Sequence, residues 1–257
     1  MPADESNSRL AYLNEAFLDS EAARPLRILA EYLEPLEAFC RGQIKDTIVF
    51  FGSARLQENG NLGRYYEEAR TLARLITEWS MSLSSANCRY VVCSGGGGGI
   101  MEAANRGAAD AGGRSIGLNI SLPHEQRPNA FITPGLGFEF HYFFMRKLWF
   151  AHLARAVIVF PGGFGTLDEL TEIITLAQTK KLERRIPIVL YGTSYWNEII
   201  NFKALLRHKV ISAEDLQLFS FIDEPAAALA YLQRVLAVSH EVDDETPAFA
   251  HSSRRQC

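Results

Sequence analysis

The chain has 257 residues, 47% hydrophobic and 22% charged, with a formal net charge of -4 and a pI near 5.9. That length supports one large domain or two small ones around a real core, and the composition is that of an ordinary soluble globular protein. The slight acidity argues against a general nucleic-acid or anionic-membrane binder, while leaving room for a local basic pocket. The cysteines, Cys40, Cys88, Cys93 and Cys257, have no CxxC spacing, and the polar start "MPADESNSRL" has no apolar signal core. Together with the absence of an apolar run of membrane-span length, this predicts a reduced, cytoplasmic protein with unpaired thiols and no membrane partner.

In chain order, residues 10–42 carry apolar residues at helical spacing, broken at Pro25 into one short and one longer helix. "DTIVFFGSAR" supplies a buried strand over Ile48 to Phe51 that ends in Gly52-Ser53, and a helix follows through "YYEEARTLARLITEW". "RYVVCS" reads as a strand, "GGGGG" as a turn, and "IMEAANRGAADAG" as a helix closed by Gly112-Gly113. "RSIGLNI" is the next strand. "FEFHYFFMRKLWFAHLA" reads as a helix, "RAVIVF" as a strand and "TLDELTEIITLAQTKK" as a helix. "IPIVLY", "YWNEIINFKALLRH" and a helix from about Ala226 to Val238 complete the set, with Pro225 at the last helix's first turn.

Short apolar strands alternating with helices predict an α/β fold. We expect a Rossmann-like parallel sheet with helices on both faces, plus an N-terminal helical extension. The expected boundaries are 1–45 for the extension, 46–238 for the nucleotide-binding domain and 239–257 for a polar tail. Ligands in such sheets bind at the carboxyl ends of the strands, where helix N-termini point free amides. Gly52-Ser53, Gly95 to Gly99 and Gly162 to Thr166 all fall at that edge.

Several familiar motifs fail. The glycine run breaks GxGxxG at Ile100, Met101 or Glu102, and no acid closes the following strand to hold a ribose hydroxyl, which argues against NAD. GxxxxGK[ST], HExxH and GxSxG are all missing, so nucleoside-triphosphate, zinc-protease and serine-hydrolase chemistry fall away. Five glycines exceed what a turn needs, and close approach of backbone to a ligand, at Gly96, Gly97 and Gly98 among others, accounts for the excess.

"PGGFGTLDELTEI", residues 161–173, admits two readings. Thr166 to Glu169 fits a capping box, with the Thr166 hydroxyl and the Glu169 carboxylate each satisfying the other's amide and Asp168 favouring the positive helix end. Alternatively Glu169 is a catalytic acid beside a phosphate cradle. Glu169 and Glu172 share a face and repel, so a nearby cation or a ligand hydroxyl is a natural partner. Arg146, set among Phe143, Phe144, Trp149 and Phe150, suits a phosphate or carboxylate, whereas Lys147 can snorkel to solvent. The nearly all-round apolar character of this segment suggests burial or a subunit interface.

"GGGGGIMEAANRGA", "MRK" and "PGGFGTLDELTEIITLAQ" together resemble the LONELY GUY (LOG) family of nucleoside 5′-monophosphate phosphoribohydrolases, often mislabelled lysine decarboxylases. The resemblance spans roughly residues 46–235, and the helical extension looks more like longer bacterial relatives. It implies hydrolysis of the N-glycosidic bond of AMP or an N6-modified AMP, of the cytokinin riboside 5′-monophosphate kind, to free base and ribose 5-phosphate. Arg146 and Glu169 match the family's catalytic pair. Lys147, Gly162, Gly163, Gly165 and Thr166 match its nucleotide-binding positions, and Glu125 and Thr175 match more loosely; Ser53, Gly96, Gly97, Gly98, Asp168 and Glu172 join them as candidate substrate-binding residues. Asp168 stands where plant members usually carry Glu, and the loop "HEQRPNAFITPGLGFEFHYF" diverges, leaving base preference open. The expected partners are a nucleoside monophosphate and a second copy of the chain, as a homodimer or higher homo-oligomer. No metal, other cofactor or nucleic acid is implied. The alternative is a non-catalytic nucleotide-binding or sensing protein on the same scaffold.

Overall fold

Strand β1 (Thr47–Phe51) is buried along its whole length. Val49 and Phe51 enter one apolar cluster and Ile48 and Phe50 the other, so the two-residue period of the strand sends core to both faces. The computed structural model describes residues 10–83, 89–122, 127–182 and 184–243. Its further strands are β2 (Val91–Ser94), β3 (Ser115–Ile120), β4 (Gly137–Phe140), β5 (Ala154–Val159), β6 (Ile188–Tyr191) and β7 (Phe219–Ile222). They form one seven-stranded sheet in the order β4-β3-β2-β1-β5-β6-β7, with every pairing parallel.

Helices α3 (Gly63–Ser82), α4 (Ile100–Asp110) and α9 (Pro225–Asp243) pack their apolar stripes on one face. On the other lie α2 (Arg24–Arg41), α5 (Phe143–Leu153), α6 (Phe164–Gln178) and α7 (Thr193–Ile199). The chain runs outward from β1 through β2, β3 and β4, then returns to place β5 on the other side of β1. The carboxyl ends of β1 and β5 therefore flank the switch point where an open parallel sheet presents its crevice.

This is the predicted α/β architecture, with local differences. The segment expected as one long helix from Phe138 begins as β4. Phe138 and Phe140 are buried while Gly137 and Glu139 are exposed, a period of two that pairs with β3. The "FSFI" strand β7 was not anticipated; it is short and sits at the sheet edge. "YWNEIINFKALLRH" forms two helices, α7 and α8 (Phe202–Arg207), because Ile200 is extended and Asn201 caps α8 by accepting from the Ala204 amide at 2.9 Å. Pro25 falls at the first turn of α2, where its missing N–H costs nothing, and the short helix before it is α1 (Glu15–Leu18). The last helix runs past the expected boundary at 238 to Asp243.

Cys40 is disulfide-bonded while Cys93 is a free buried thiol. The expectation of unpaired thiols therefore fails at Cys40, because CxxC spacing tests only for partners close in sequence. Among the described residues no helix is long and apolar enough to cross a membrane.

Candidate active site

The three small-residue turns meet. The Ser53 amide donates to the Pro161 carbonyl at 3.0 Å, and the Ile100 amide donates to the Ser53 carbonyl at 3.1 Å, stitching the exits of β1, β2 and β5 together. Gly99 makes this possible: its φ is +63°, and a Cβ there would lie 2.2 Å from the Ser53 carbonyl oxygen. Gly96 has φ +70°, with the Asn119 side chain 2.4 Å from where its Cβ would be. The Asn129 side-chain amide donates to the carbonyls of Gly96 and Gly97, at 3.0 Å each, and to Asn105 Oδ1 at 2.9 Å. Ser94 Oγ donates to the same Asn105 oxygen at 2.7 Å. Much of the glycine excess therefore answers to packing within the protein, and Gly96 and Gly97 are buried. Asn129 was missed in the sequence, where it reads as an ordinary loop residue after Pro128. Ser53 Oγ accepts from the Arg55 amide at 3.1 Å, and Gly98 is half-buried.

The second glycine turn differs from its sequence reading. Helix α6 begins at Phe164 with Gly163 as N-cap and no side-chain cap. Thr166 is therefore already inside the first turn, so the Thr166–Glu169 capping box does not form. Gly163 supplies the extended cap geometry in its place (φ -86°, ψ -151°). Thr166 is buried against Gly162, where a Cβ would come within 2.1 Å of its hydroxyl. The first helical bond runs from the Leu167 amide to the Gly163 carbonyl, at 2.9 Å, so the amides of Phe164, Gly165 and Thr166 point out of the helix end without helical partners. Gly163 and Gly165 are exposed, and a Cβ at either would meet nothing within 4 Å. Packing does not explain glycine there. The Tyr195 hydroxyl of α7 donates to the Gly162 carbonyl at 2.8 Å and pins this turn, a role with no local signal in the sequence.

Helix α5 delivers the cation. It buries Met145, Arg146, Trp149 and Phe150 and exposes Phe143, Phe144 and Leu148. Arg146 Nη2 lies 2.9 Å from Glu169 Oε1, with both side chains nearly enclosed (10% and 13% exposed). The guanidinium sits 5.5 Å from the ring centroids of both Phe143 and Phe150. Its Nη1 is 3.9 Å from where a Cβ on Gly95 would be, which places it against the first glycine turn. Arg146 Nε is buried without a hydrogen-bond partner.

Burial lowers the Arg146 pKa, opposed by Glu169 and Asp168. Burial also pushes Glu169 up to about 7, against the pull of Arg146, with Asp168 raising it, Lys147 lowering it and Glu172 raising it further. Desolvation thus outweighs pairing for both partners. Lys147 Nζ bridges Asp168 Oδ2 and Glu172 Oε2 at 2.8 Å each. Burial would lower its pKa, but the two carboxylates outweigh that and raise it. The expected repulsion between Glu169 and Glu172 is therefore relieved by two separate cations. Thr175 lies exposed farther along α6, outside these ion pairs, and Glu125 lies outside the described residues. Among the described residues no three His, Cys, Asp or Glu side chains form a group able to hold a metal ion.

The family described as "Possible lysine decarboxylase" matches residues 101–232, just over half of the chain. A rice protein named probable cytokinin riboside 5′-monophosphate phosphoribohydrolase LOG4 is 27% identical over 227 residues, 84% of this chain and 92% of that protein. Arabidopsis cytokinin riboside 5′-monophosphate phosphoribohydrolase LOG7 is 30% identical over 167 residues, 63% of this chain and 68% of its own length. Among solved structures, TM1055 aligns with a TM-score of 0.52 at 19% identity, covering 74% of this chain and 99% of that one. The molybdenum cofactor binding protein of Rippkaea orientalis aligns with a TM-score of 0.50 at 17% identity, covering 75% and 98%. At such identities the two structures speak for the shared fold alone. Carrying the glycine turns, the Arg146-Lys147 pair and the "PGGFGTLDE" helix start on this fold, the chain belongs to the LOG family.

Proposed function

We propose that the protein hydrolyses the N-glycosidic bond of AMP or an N6-modified AMP, releasing the base and ribose 5-phosphate. The observation that carries this reading is Glu169, a carboxylate with a pKa near 7, paired to Arg146 beside an uncapped helix start. The names of the LOG relatives, phosphoribohydrolases of cytokinin riboside 5′-monophosphates, support the reaction class.

The 5′-phosphate binds the free amides at the start of α6, where Gly163 and Gly165 leave the backbone open to close approach. Breaking the C1′–N bond builds positive charge on the ribose, as in glycoside hydrolysis, and ionised Glu169 stabilises it. The same carboxylate takes a proton from the attacking water as its oxygen bonds C1′, while the C1′–N bond electrons leave with the base, which takes up a proton from solvent, and Glu169 then returns its own proton to solvent. Arg146 neutralises ligand charge and holds Glu169 in place. Lys147, Asp168 and Glu172 form the outer bridge that fixes both helices, and Ser53, Gly96, Gly97, Gly98, Gly162 and Thr166 shape the floor.

A lysine decarboxylase of the kind the family description names forms a Schiff base through a lysine of depressed pKa. Lys147, held by two carboxylates with its pKa raised, is the opposite case. We also propose a homodimer formed through Phe143, Phe144, Leu148 and Phe164, the last 93% exposed beside the glycine turn.

The test is a screen of the purified protein against nucleoside monophosphates, following free base and ribose 5-phosphate by chromatography. Release from AMP or an N6-substituted AMP is expected. Measurable nucleotide binding without release from any of them would replace the enzyme with a sensor.

A further inference from the structure

Helix α5 carries Arg146, yet nothing in its own sequence secures its start. Its N-cap Tyr142 makes no side-chain cap, its first turn holds no acid, and the position from which a capping-box Glu would reach back is Met145. The missing carboxylate comes from the N-terminal extension. Glu31 of α2 accepts from the His141 amide through Oε1 at 2.8 Å and from the Tyr142 amide through Oε2 at 3.2 Å. A negative group here also suits the positive end of α5.

The same residue grips α5 a second time. The Trp149 indole Nε1 donates to the Glu31 carbonyl at 3.1 Å, while Tyr32 stacks on Trp149 at 5.4 Å and Phe39 meets it edge-on at 5.3 Å. Arg146 lies between these grips. Its own amide bonds the Tyr142 carbonyl at 3.2 Å, so the residue that Glu31 fixes is the one that anchors the arginine's backbone. Covering the sheet requires only the apolar face of α2. A two-oxygen contact with the start of the neighbouring helix is an addition to that role.

We propose that Glu31 is a positioning residue, through which the N-terminal extension sets the register of α5 and so the placement of Arg146 against Glu169. For catalysis this rests on the N-glycosidase reading, but its structural content can be measured without turnover. The charged groups acting on Glu169 are Arg146 and Lys147 from α5 and Asp168 and Glu172 from its own helix.

The experiment is a carbon-13 NMR titration of the Glu169 carboxyl in the full-length wild type, Glu31→Ala, Glu31→Gln, Arg146→Ala and the Glu31→Ala/Arg146→Ala double variant. Removing a negative charge by itself lowers the pKa of a carboxyl, whereas loosening Arg146 raises that of Glu169, so the sign separates the two effects. We expect Glu31→Ala to raise the Glu169 midpoint, Glu31→Gln, which keeps one acceptor oxygen, to raise it less, and Glu31→Ala to add nothing once Arg146 is gone. Base release should fall about tenfold in kcat for Glu31→Ala, with no further loss in the Arg146→Ala background. An unchanged or lowered Glu169 midpoint in both Glu31 variants, or equal shifts with and without Arg146, would overturn the proposal. No base release by the wild type would instead sink the N-glycosidase reading and leave the titration to judge Glu31.

Discussion

Arg146 Nη2 and Glu169 Oε1 are 2.9 Å apart, yet burial moves both groups towards neutrality, raising the acid to about 7 and lowering the arginine. The pair is held in a setting that neither charge favours alone. Replacing Arg146 with Ala leaves a buried carboxylate without its cation, which costs on the order of 3–5 kcal/mol when the carboxylate is ionised. Because the folded pKa of Glu169 lies above its unfolded value, stability is fullest below the ordinary carboxylate range and is lost as pH rises through the folded pKa. Arg146→Ala extends that loss to higher pH. Thermal unfolding should therefore show a stability gap between wild type and variant that is wide at pH 8 and narrows by pH 5. A gap independent of pH would separate Arg146 from the titration of Glu169.

The same carboxyl sets the pH dependence of the reaction. If ionised Glu169 is the working form, kcat/KM for AMP rises with pH and reaches half its plateau near 7 in the free enzyme. Arg146→Lys, which keeps the charge but loses the planar fork, should retain a limb in that region at lower activity, whereas Arg146→Ala moves it upward. A profile that falls through 7 would make Glu169 a proton donor instead.

Glycines of the two turns should separate by role. Gly163→Ala and Gly165→Ala place a methyl in open space, so the fold should tolerate both while the KM for AMP rises. Gly99→Ala meets a positive φ and the Ser53 carbonyl, and Gly162→Ala meets Thr166, so each should cost more than about 1 kcal/mol of stability. Denaturant unfolding beside steady-state kinetics checks the split. An unchanged KM for AMP in both Gly163→Ala and Gly165→Ala would mean that these two glycines hold no ligand.

The exposed Phe143, Phe144, Leu148 and Phe164 bear on assembly. Light scattering should give a dimer mass for the wild type and a monomer mass for Phe144→Asp/Phe164→Asp. A monomeric wild type would remove this face from any self-association.

The sheet was legible because its strands are short, apolar and separated by helices of clear period. The convergence of Gly52-Ser53, the glycine run and "PGGFGT" followed from placing strand ends on one edge, which the Ser53–Pro161 and Ile100–Ser53 bonds bear out. Strand β4 was hidden because its aromatic residues continue without a break into α5. The capping box misled for a similar reason: "TLDE" satisfies a local rule, but Gly163 starts the helix earlier and frees Glu169 for Arg146. Contacts such as Glu31 with Tyr142, or Asn129 with Gly96, join residues far apart in the chain and leave no periodic or motif trace.

The most direct measurement is the formation of adenine and ribose 5-phosphate from AMP at pH 8 by the wild type and by Glu169→Gln. Equimolar products are expected from the wild type. The variant should keep AMP binding while its turnover drops by at least about a hundredfold. Turnover by Glu169→Gln at the wild-type rate would contradict the account.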